Sequence, residues 1–309
     1  MDNKAIFMKI LIIGKNGQLG QSLTSTLSPK FNVVSIGRDV LDLSAQDTII
    51  PLLNNIQPDV IINAAAFTAV DAAETQLEIA FAVNHDAVKL IAEYSVRKNI
   101  MLIHYSTDYV FDGTKNGKYT EVDITNPVSV YGQSKRLGEE AVLTSNGPHI
   151  IFRTSWVYSN LGNNFANTIL QLATHRSHLQ VVNDQVGCPT HADTIATITE
   201  RCIDQYFCAN HQSRQLMHGL YHLTERDVTS WFDFAKFLIK GAEARGVTLS
   251  SNSNQVSPIS TASFGAPAPR PLNSMLDCTK LDNIFDLNIP LWQSSANKFL
   301  DNWVKRKLQ

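Results

Sequence analysis

The aliphatic run Lys9-Ile-Leu-Ile-Ile13 stops at Gly14, and two more glycines follow at Gly17 and Gly20 as an amphipathic stretch begins. A run without polar alternation suits a strand buried on both faces, which a parallel sheet covered by helices on two sides provides. Four more runs of this kind occur, at Asn32-Val-Val-Ser-Ile36, Asp59-Val-Ile-Ile-Asn63, Met101-Leu-Ile-His-Tyr105 and Ile150-Ile-Phe-Arg153, each separated by enough chain for a helix. Parallel neighbours require such crossovers. The alternation therefore predicts βαβ units and an α/β fold, a Rossmann-like doubly wound parallel sheet.

The helices are expected from Gln18 to Leu27, stopping at Ser28-Pro29, from a cap at Ser44 to Ile56 before Pro58, and from about Leu77 to Lys98. After Trp156 the texture changes: a polar loop covers Ser159 to Asn164, a helix is expected near Phe165 to Thr174, and a short strand around Leu179 to Val182. From Gly246 to Arg270 the chain is rich in Ser, Asn, Ala and Pro, the composition of an irregular segment over a surface or cleft. We expect residues 8–155 to form a dinucleotide-binding domain, with strands from about 179–222 returning to its sheet. Residues 156–309 then form a smaller, mainly substrate-binding C-terminal domain.

Bulk properties exclude other classes. A chain of 309 residues with 44% hydrophobic content can bury one large core or two smaller ones. A net charge of -2 offers no footprint for nucleic acid, and Lys305-Arg306-Lys307 reads as a solvated tail. No apolar run approaches membrane-spanning length, and Met1 to Phe7 lacks the cationic start and apolar core of a leader; Met8 is an alternative start. Cys188, Cys202, Cys208 and Cys278 lack the paired spacings of a zinc site or disulfide framework, so the expectation is no metal and a reducing cytoplasm.

Gly14, Gly17 and Gly20 lie between a strand and a helix, where backbone N–H groups at the helix start can face a pyrophosphate. Their Gly-x-x-Gly-x-x-Gly spacing departs from the common Gly-x-Gly-x-x-Gly fingerprint, so placement after the first strand carries the reading. An NAD site usually puts an acidic residue at the end of the second strand, where this chain reads Ser35-Ile-Gly37-Arg38-Asp39. Arg38 could clamp a 2′-phosphate, favouring NADPH, whereas Asp39 or Asp42 reaching the ribose would allow NADH. Asn63-Ala-Ala-Ala66 supplies small residues where a flat ring would pass the sheet edge.

Tyr131 and Lys135 are four apart, so on a helix they share a face one turn apart. A lysine ammonium near a phenol favours phenolate and lowers a pKa of about 10 toward the working range of a proton donor. Thr107-Asp108 ends the fourth strand, where ligands gather in open α/β sheets, and Thr107 can hydrogen-bond a reacting oxygen or tune Tyr131.

These pieces occur in an ordered series: Gly14-Lys-Asn-Gly-Gln-Leu-Gly20, Asn63-Ala-Ala-Ala-Phe-Thr-Ala-Val-Asp71, His104-Tyr-Ser-Thr-Asp-Tyr-Val-Phe111, Tyr131-Gly-Gln-Ser-Lys135 and Phe152-Arg-Thr-Ser-Trp-Val-Tyr158. Gly162-Asn-Asn-Phe165, Asn183-Asp-Gln-Val-Gly-Cys-Pro-Thr190, Gly219-Leu-Tyr-His222 and Arg270-Pro-Leu-Asn-Ser274 follow. From Met8 onward the series resembles the extended short-chain dehydrogenases/reductases, and within them the dTDP-4-dehydrorhamnose reductases. The resemblance implies an oxidoreductase that reduces the C4 keto group of dTDP-4-dehydro-L-rhamnose, a step toward lipopolysaccharide O-antigen or other cell-surface polysaccharide. It implies Tyr131 as general acid, Lys135 on the nicotinamide ribose, and Thr107 completing the catalytic set. Cofactor contacts are implied at Gly14, Asn16, Gly17, Gln18, Leu19, Gly20, Asp42, Leu43, Ala66, Phe67, Thr68 and Tyr105, besides Arg38, Tyr131 and Lys135. Thr107, Asp108 and Trp156 are implied to touch the sugar nucleotide. Some members carry Mg2+ at a homodimer contact, which is the only support for either here.

Two rival readings share the fold. A sugar-nucleotide dehydratase would need a further acid and base after Thr107, typically Asp-Glu, where this chain has Asp108-Tyr109. A non-catalytic NADP-binding subunit, like the regulatory beta subunit of methionine adenosyltransferase, would not need the intact Tyr131 and Lys135 pair.

Overall fold

Successive side chains along a strand point to opposite faces, and here both faces are apolar. In β1 (Lys9–Ile13), Ile10 and Ile12 enter one core layer while Leu11 and Ile13 enter the other. β2 (Asn32–Ile36), β3 (Val60–Asn63), β4 (Met101–Thr107) and β5 (His149–Thr154) join it in register. With Gly219–His222 beside β5 they form a six-stranded parallel sheet, in the order Gly219–His222, β5, β4, β3, β1, β2. The computed structural model describes residues 8–307, so Met1 to Phe7, read above for a leader, lies outside the described residues.

One layer packs helix Gln18–Leu27 and helix Ala192–Cys208 on the sheet through Leu23, Leu27, Ile195, Ile198 and Cys202. The other packs Leu53, Ile91, Ala92 and Val142 from helices on the opposite side. The two helices of the first layer are also joined at their polar ends: Ser22 Oγ donates to Asp193 Oδ1 at 2.6 Å. No described helix is long and apolar enough to cross a membrane.

Three local expectations need correction. Ser44 caps no helix; its N–H and hydroxyl both donate to Asp42 Oδ1, at 3.0 and 2.7 Å, and helix Ile49–Ile56 begins later, after a 3-10 turn at Gln46–Thr48. Leu77 to Lys98 is helical throughout but not uniformly α, because Ala82–Asp86 forms a π segment between Leu77–Phe81 and Ala87–Lys98. Of the strands expected to return to the sheet, Gly219–His222 does, while Leu179–Val182 pairs instead with Val256–Ile259. That pair encloses its own apolar cluster, with Leu179, Val181 and Val256 against Ile169, Ala235 and Ile239, so it has no need of the main sheet. Val256–Ile259 also gives order to part of the segment expected to be irregular.

Candidate active site

The glycine loop is built by close backbone approach. Gly14 sits at φ +103°, which favours glycine, and its N–H donates to Ile36 O at 2.9 Å, tying β1 to β2 at the turn. A Cβ on Gly20 would lie 2.0 Å from Gly14 O, so the first turn of helix Gln18–Leu27 presses directly on the loop. Gly20 accordingly is buried against the loop and, unlike Gly14 and Gly17, does not border the cleft. The other residues expected to touch cofactor or substrate all border one cleft of about 760 Å³ at the C-terminal ends of the strands.

At the far end of β2, Arg38 Nε donates to Asp42 Oδ2 at 3.0 Å, while Ser44 occupies Asp42 Oδ1. These bonds, those from Ser44 foremost, hold the Asp42 carboxyl below its usual range. Asp39 is drawn to Lys15 at 3.1 Å. Both candidate ribose acceptors therefore have cationic or N–H partners, and the terminal guanidinium nitrogens of Arg38 have no acceptor among the described residues.

The reactive wall combines β4 with helix Val130–Thr144, whose start is capped by Ser129 Oγ accepting from Gly132 N at 3.2 Å. This helix fits tightly because Gly132 and Gly138 lack side chains: a Cβ would meet Tyr109 O and Asn84 O, each at 2.2 Å. Tyr131 and Lys135 are both buried on its inner face. Lys135 Nζ donates to Tyr105 O at 2.7 Å, which fixes the ammonium against β4. Burial pulls its pKa down to about 8, opposed by the Glu139 charge one turn on. Glu139 is in turn held by Arg153, with Nε and Nη2 on its two oxygens at 2.8 and 2.7 Å.

Tyr131 differs from its expectation. Burial raises its phenol well above the usual range, with a hydrogen bond to Thr107 as the lowering influence, and one N–H of the Lys135 ammonium donates to Tyr105 O. A neutral phenol at working pH is nevertheless what a proton donor needs. Asp108 is also buried: Thr107 Oγ1 donates to its Oδ1 at 3.0 Å, and Ser274 donates to Oδ2. Burial pushes this carboxyl up to about 6 despite those bonds.

Several contributors escaped the sequence reading. Asn84, at the centre of the π segment, bonds Phe67 N at 2.9 Å, Phe67 O at 3.1 Å and Ser134 Oγ at 3.0 Å, so it fastens the Ala64–Thr68 wall to the reactive helix. Ser106 Oγ and Thr154 Oγ1 border the cleft, buried, without a partner among the described residues. Buried hydroxyls lacking partners, together with a loop that a Cβ would fill, fit a polar dinucleotide. Trp231 stacks on Trp156 in the cleft, with ring centroids 3.5 Å apart. Among the described residues no three His, Cys, Asp or Glu gather as metal ligands, so the Mg2+ implied by resemblance finds no donor set here.

Comparison with known proteins agrees with this site. The profile of the RmlD substrate binding domain matches residues 8–305. The chain is 39% identical to a dTDP-4-dehydrorhamnose reductase of Sinorhizobium fredii over 297 residues, covering 95% of this chain and 97% of that one. It is 38% identical to the Escherichia coli enzyme of the same name over 298 residues, with 95% and 97% covered. The crystal structure of dTDP-4-dehydrorhamnose reductase from Bacillus anthracis in complex with NADP superposes with a TM-score of 0.85 at 31% identity, covering 96% of this chain and all of that one. With its parallel sheet, glycine loop and tyrosine–lysine helix, the chain belongs to the dTDP-4-dehydrorhamnose reductase family of extended short-chain dehydrogenases/reductases.

Proposed function

We propose that this chain reduces the C4 keto group of dTDP-4-dehydro-L-rhamnose to dTDP-L-rhamnose with NAD(P)H, supplying a deoxysugar for cell-surface polysaccharide in a reducing cytoplasm. The observation that carries the reading is the convergence of Thr107, Tyr131 and Lys135 on one wall of a cleft whose other end is the glycine loop. The names of relatives at nearly 40% identity over most of the chain support the substrate. Homodimer assembly rests on the family resemblance alone.

Residues 8–155 hold the cofactor and 156–309 mainly the sugar nucleotide, with Trp156 at the junction. The glycine loop from Gly14 through Leu19 faces the pyrophosphate, Arg38 takes the 2′-phosphate of NADPH, and Ala66 to Thr68 line the ring path. When bound, the reduced nicotinamide supplies the hydride. Tyr131 gives its phenolic proton to the C4 oxygen as charge develops there, and the Thr107 hydroxyl, on leaving Asp108 Oδ1, donates to that oxygen and orients it. Lys135, anchored on Tyr105 O, binds the nicotinamide ribose and stabilises the phenolate left behind. Asp108 holds Thr107 from beneath and borders the sugar site.

A dehydratase is disfavoured by Tyr109, whose half-buried phenol stands where a second carboxyl would be needed. A purely regulatory subunit has no use for the intact donor pair. The test is NADPH oxidation with a panel of 4-keto nucleotide sugars. The proposal expects turnover of dTDP-4-dehydro-L-rhamnose above every other member; only background oxidation with that compound would refute it.

A further inference from the structure

Trp156 occupies a backbone conformation that bulky residues avoid, at φ +48°. Such strain persists only where the surroundings hold it, and two neighbours do. Trp231 lies parallel to the Trp156 indole, with centroids 3.5 Å apart and planes 10° from parallel. On Gly187, a Cβ would come 2.8 Å from Cε2, and 3.0 Å from both Cζ2 and Nε1, of Trp156. Approach nearest the shared ring atom, with its two neighbours equidistant, is approach over the ring face. Trp231 already covers one face, so Gly187 backs the other, and the antiparallel pairing of Val186–Gly187 with Thr229–Ser230 sets the two jaws together.

The outer jaw is itself fixed. Trp231 Nε1 donates to Gln185 Oε1 at 3.2 Å, and Phe165 packs beside its ring at 4.3 Å. An indole with both faces covered cannot serve as a stacking surface. What it still presents to the cleft is an edge, and its N–H has no acceptor among the described residues.

We propose that Trp231 is a positioning residue which, with Gly187, clamps Trp156 edge-on so that its indole N–H donates to a hydroxyl of the sugar in the bound nucleotide sugar. The inference rests on the nucleotide-sugar reading of the cleft and adds how the sugar is gripped. Trp231 itself touches no reacting atom.

The test compares the unmodified protein with Trp156→Phe, Trp231→Ala and Trp231→Phe. Stacked indoles couple their transitions and, where one is rotated on the other about the stacking axis, give a bisignate far-ultraviolet circular dichroism band, which both Trp156→Phe and Trp231→Ala should lose. For dTDP-4-dehydro-L-rhamnose, Trp156→Phe and Trp231→Ala raise KM about tenfold, the loss of one well-placed hydrogen bond. Their kcat stays within about threefold and NADPH affinity within about twofold, because proton donor and cofactor loop are untouched. Trp231→Phe, which keeps an aromatic jaw, falls between and guards against a folding defect in the alanine variant. An unchanged KM in Trp231→Ala, or equal losses in kcat and NADPH affinity, overturns the clamp. If the unmodified protein does not turn over this sugar nucleotide, the functional reading fails instead, and a crystal structure of Trp231→Ala still decides the clamp, which expects the Trp156 indole to leave its edge-on position and is overturned if the indole stays in place.

Discussion

Cofactor choice hangs on Arg38. Its Nε is engaged by Asp42 at 3.0 Å, which leaves the remaining guanidinium nitrogens without an acceptor among the described residues, and its side chain, at the cleft border, is 77% exposed. Asp42 has both oxygens occupied and Asp39 is drawn to Lys15, so neither is poised to repel a 2′-phosphate as a free carboxylate would. A charge-assisted contact contributes about 1.5–3 kcal/mol, and exposure argues for the lower end. About 1.4 kcal/mol is a tenfold preference for NADPH over NADH in kcat/KM. The assay is steady-state kinetics with each cofactor at saturating sugar nucleotide and low ionic strength. Arg38→Ala should erase the margin while changing NADH turnover less than about twofold, and salt should shrink the margin in the unmodified protein. Equal efficiencies with the two cofactors before mutation, or a preference that survives Arg38→Ala, would refute the reasoning.

Three further outcomes follow from the geometry. Because Lys135 must be charged to hold ribose and phenolate and its pKa lies near 8, kcat/KM for NADPH in the free enzyme should fall as pH rises through about 8; a profile flat to about pH 10 would remove Lys135 from this role. Burial raises Asp108 to about 6, so the folded state favours its proton: this contribution is full below about pH 4 and is lost as pH rises through about 6. On the order of 2 kcal/mol of the stability difference between pH 4.5 and 7.5 should therefore vanish in Asp108→Asn, read as urea midpoints at those two pH values, and an unchanged pH slope would contradict it. Gly20→Ala puts a Cβ 2.0 Å from Gly14 O and should destabilise by about 1–3 kcal/mol while weakening NADPH binding; a fully stable variant with normal affinity would mean the loop yields freely.

Much of this architecture was legible because its signals are local. The five aliphatic runs each become a strand of the main sheet, and glycines at 14, 17 and 20 mark the turn between the first strand and its helix. Tyr131 and Lys135 share a face because helix periodicity alone puts them there. What the residues hid depends on which partner each side chain finds once the chain is folded. Ser44 looks like a cap until Asp42 claims its N–H and hydroxyl. Leu179–Val182 reads as a strand of the main sheet until Val256–Ile259 supplies another partner 77 residues away, by the Leu179 to Val256 register. Asn84 looks like any polar helix residue, although its amide fastens a loop 17 positions earlier. Trp231 carries no signal at all without Trp156 against it. Spacing likewise places the Lys135 ammonium on the face of Tyr131, but only the fold reveals that it also donates a hydrogen bond to the Tyr105 carbonyl.

The central claim is that Tyr131 donates the proton, and the direct measurement is single-turnover oxidation of prebound NADPH by dTDP-4-dehydro-L-rhamnose in the unmodified protein and in Tyr131→Phe, with NADPH affinity determined alongside. Phenylalanine keeps the ring that packs on Tyr109 and deletes only the hydroxyl. The account predicts unchanged cofactor affinity and a rate lower by roughly 100-fold or more, the usual contribution of a placed general acid. A Tyr131→Phe variant that binds NADPH normally and still reduces the substrate at near the unmodified rate would contradict it.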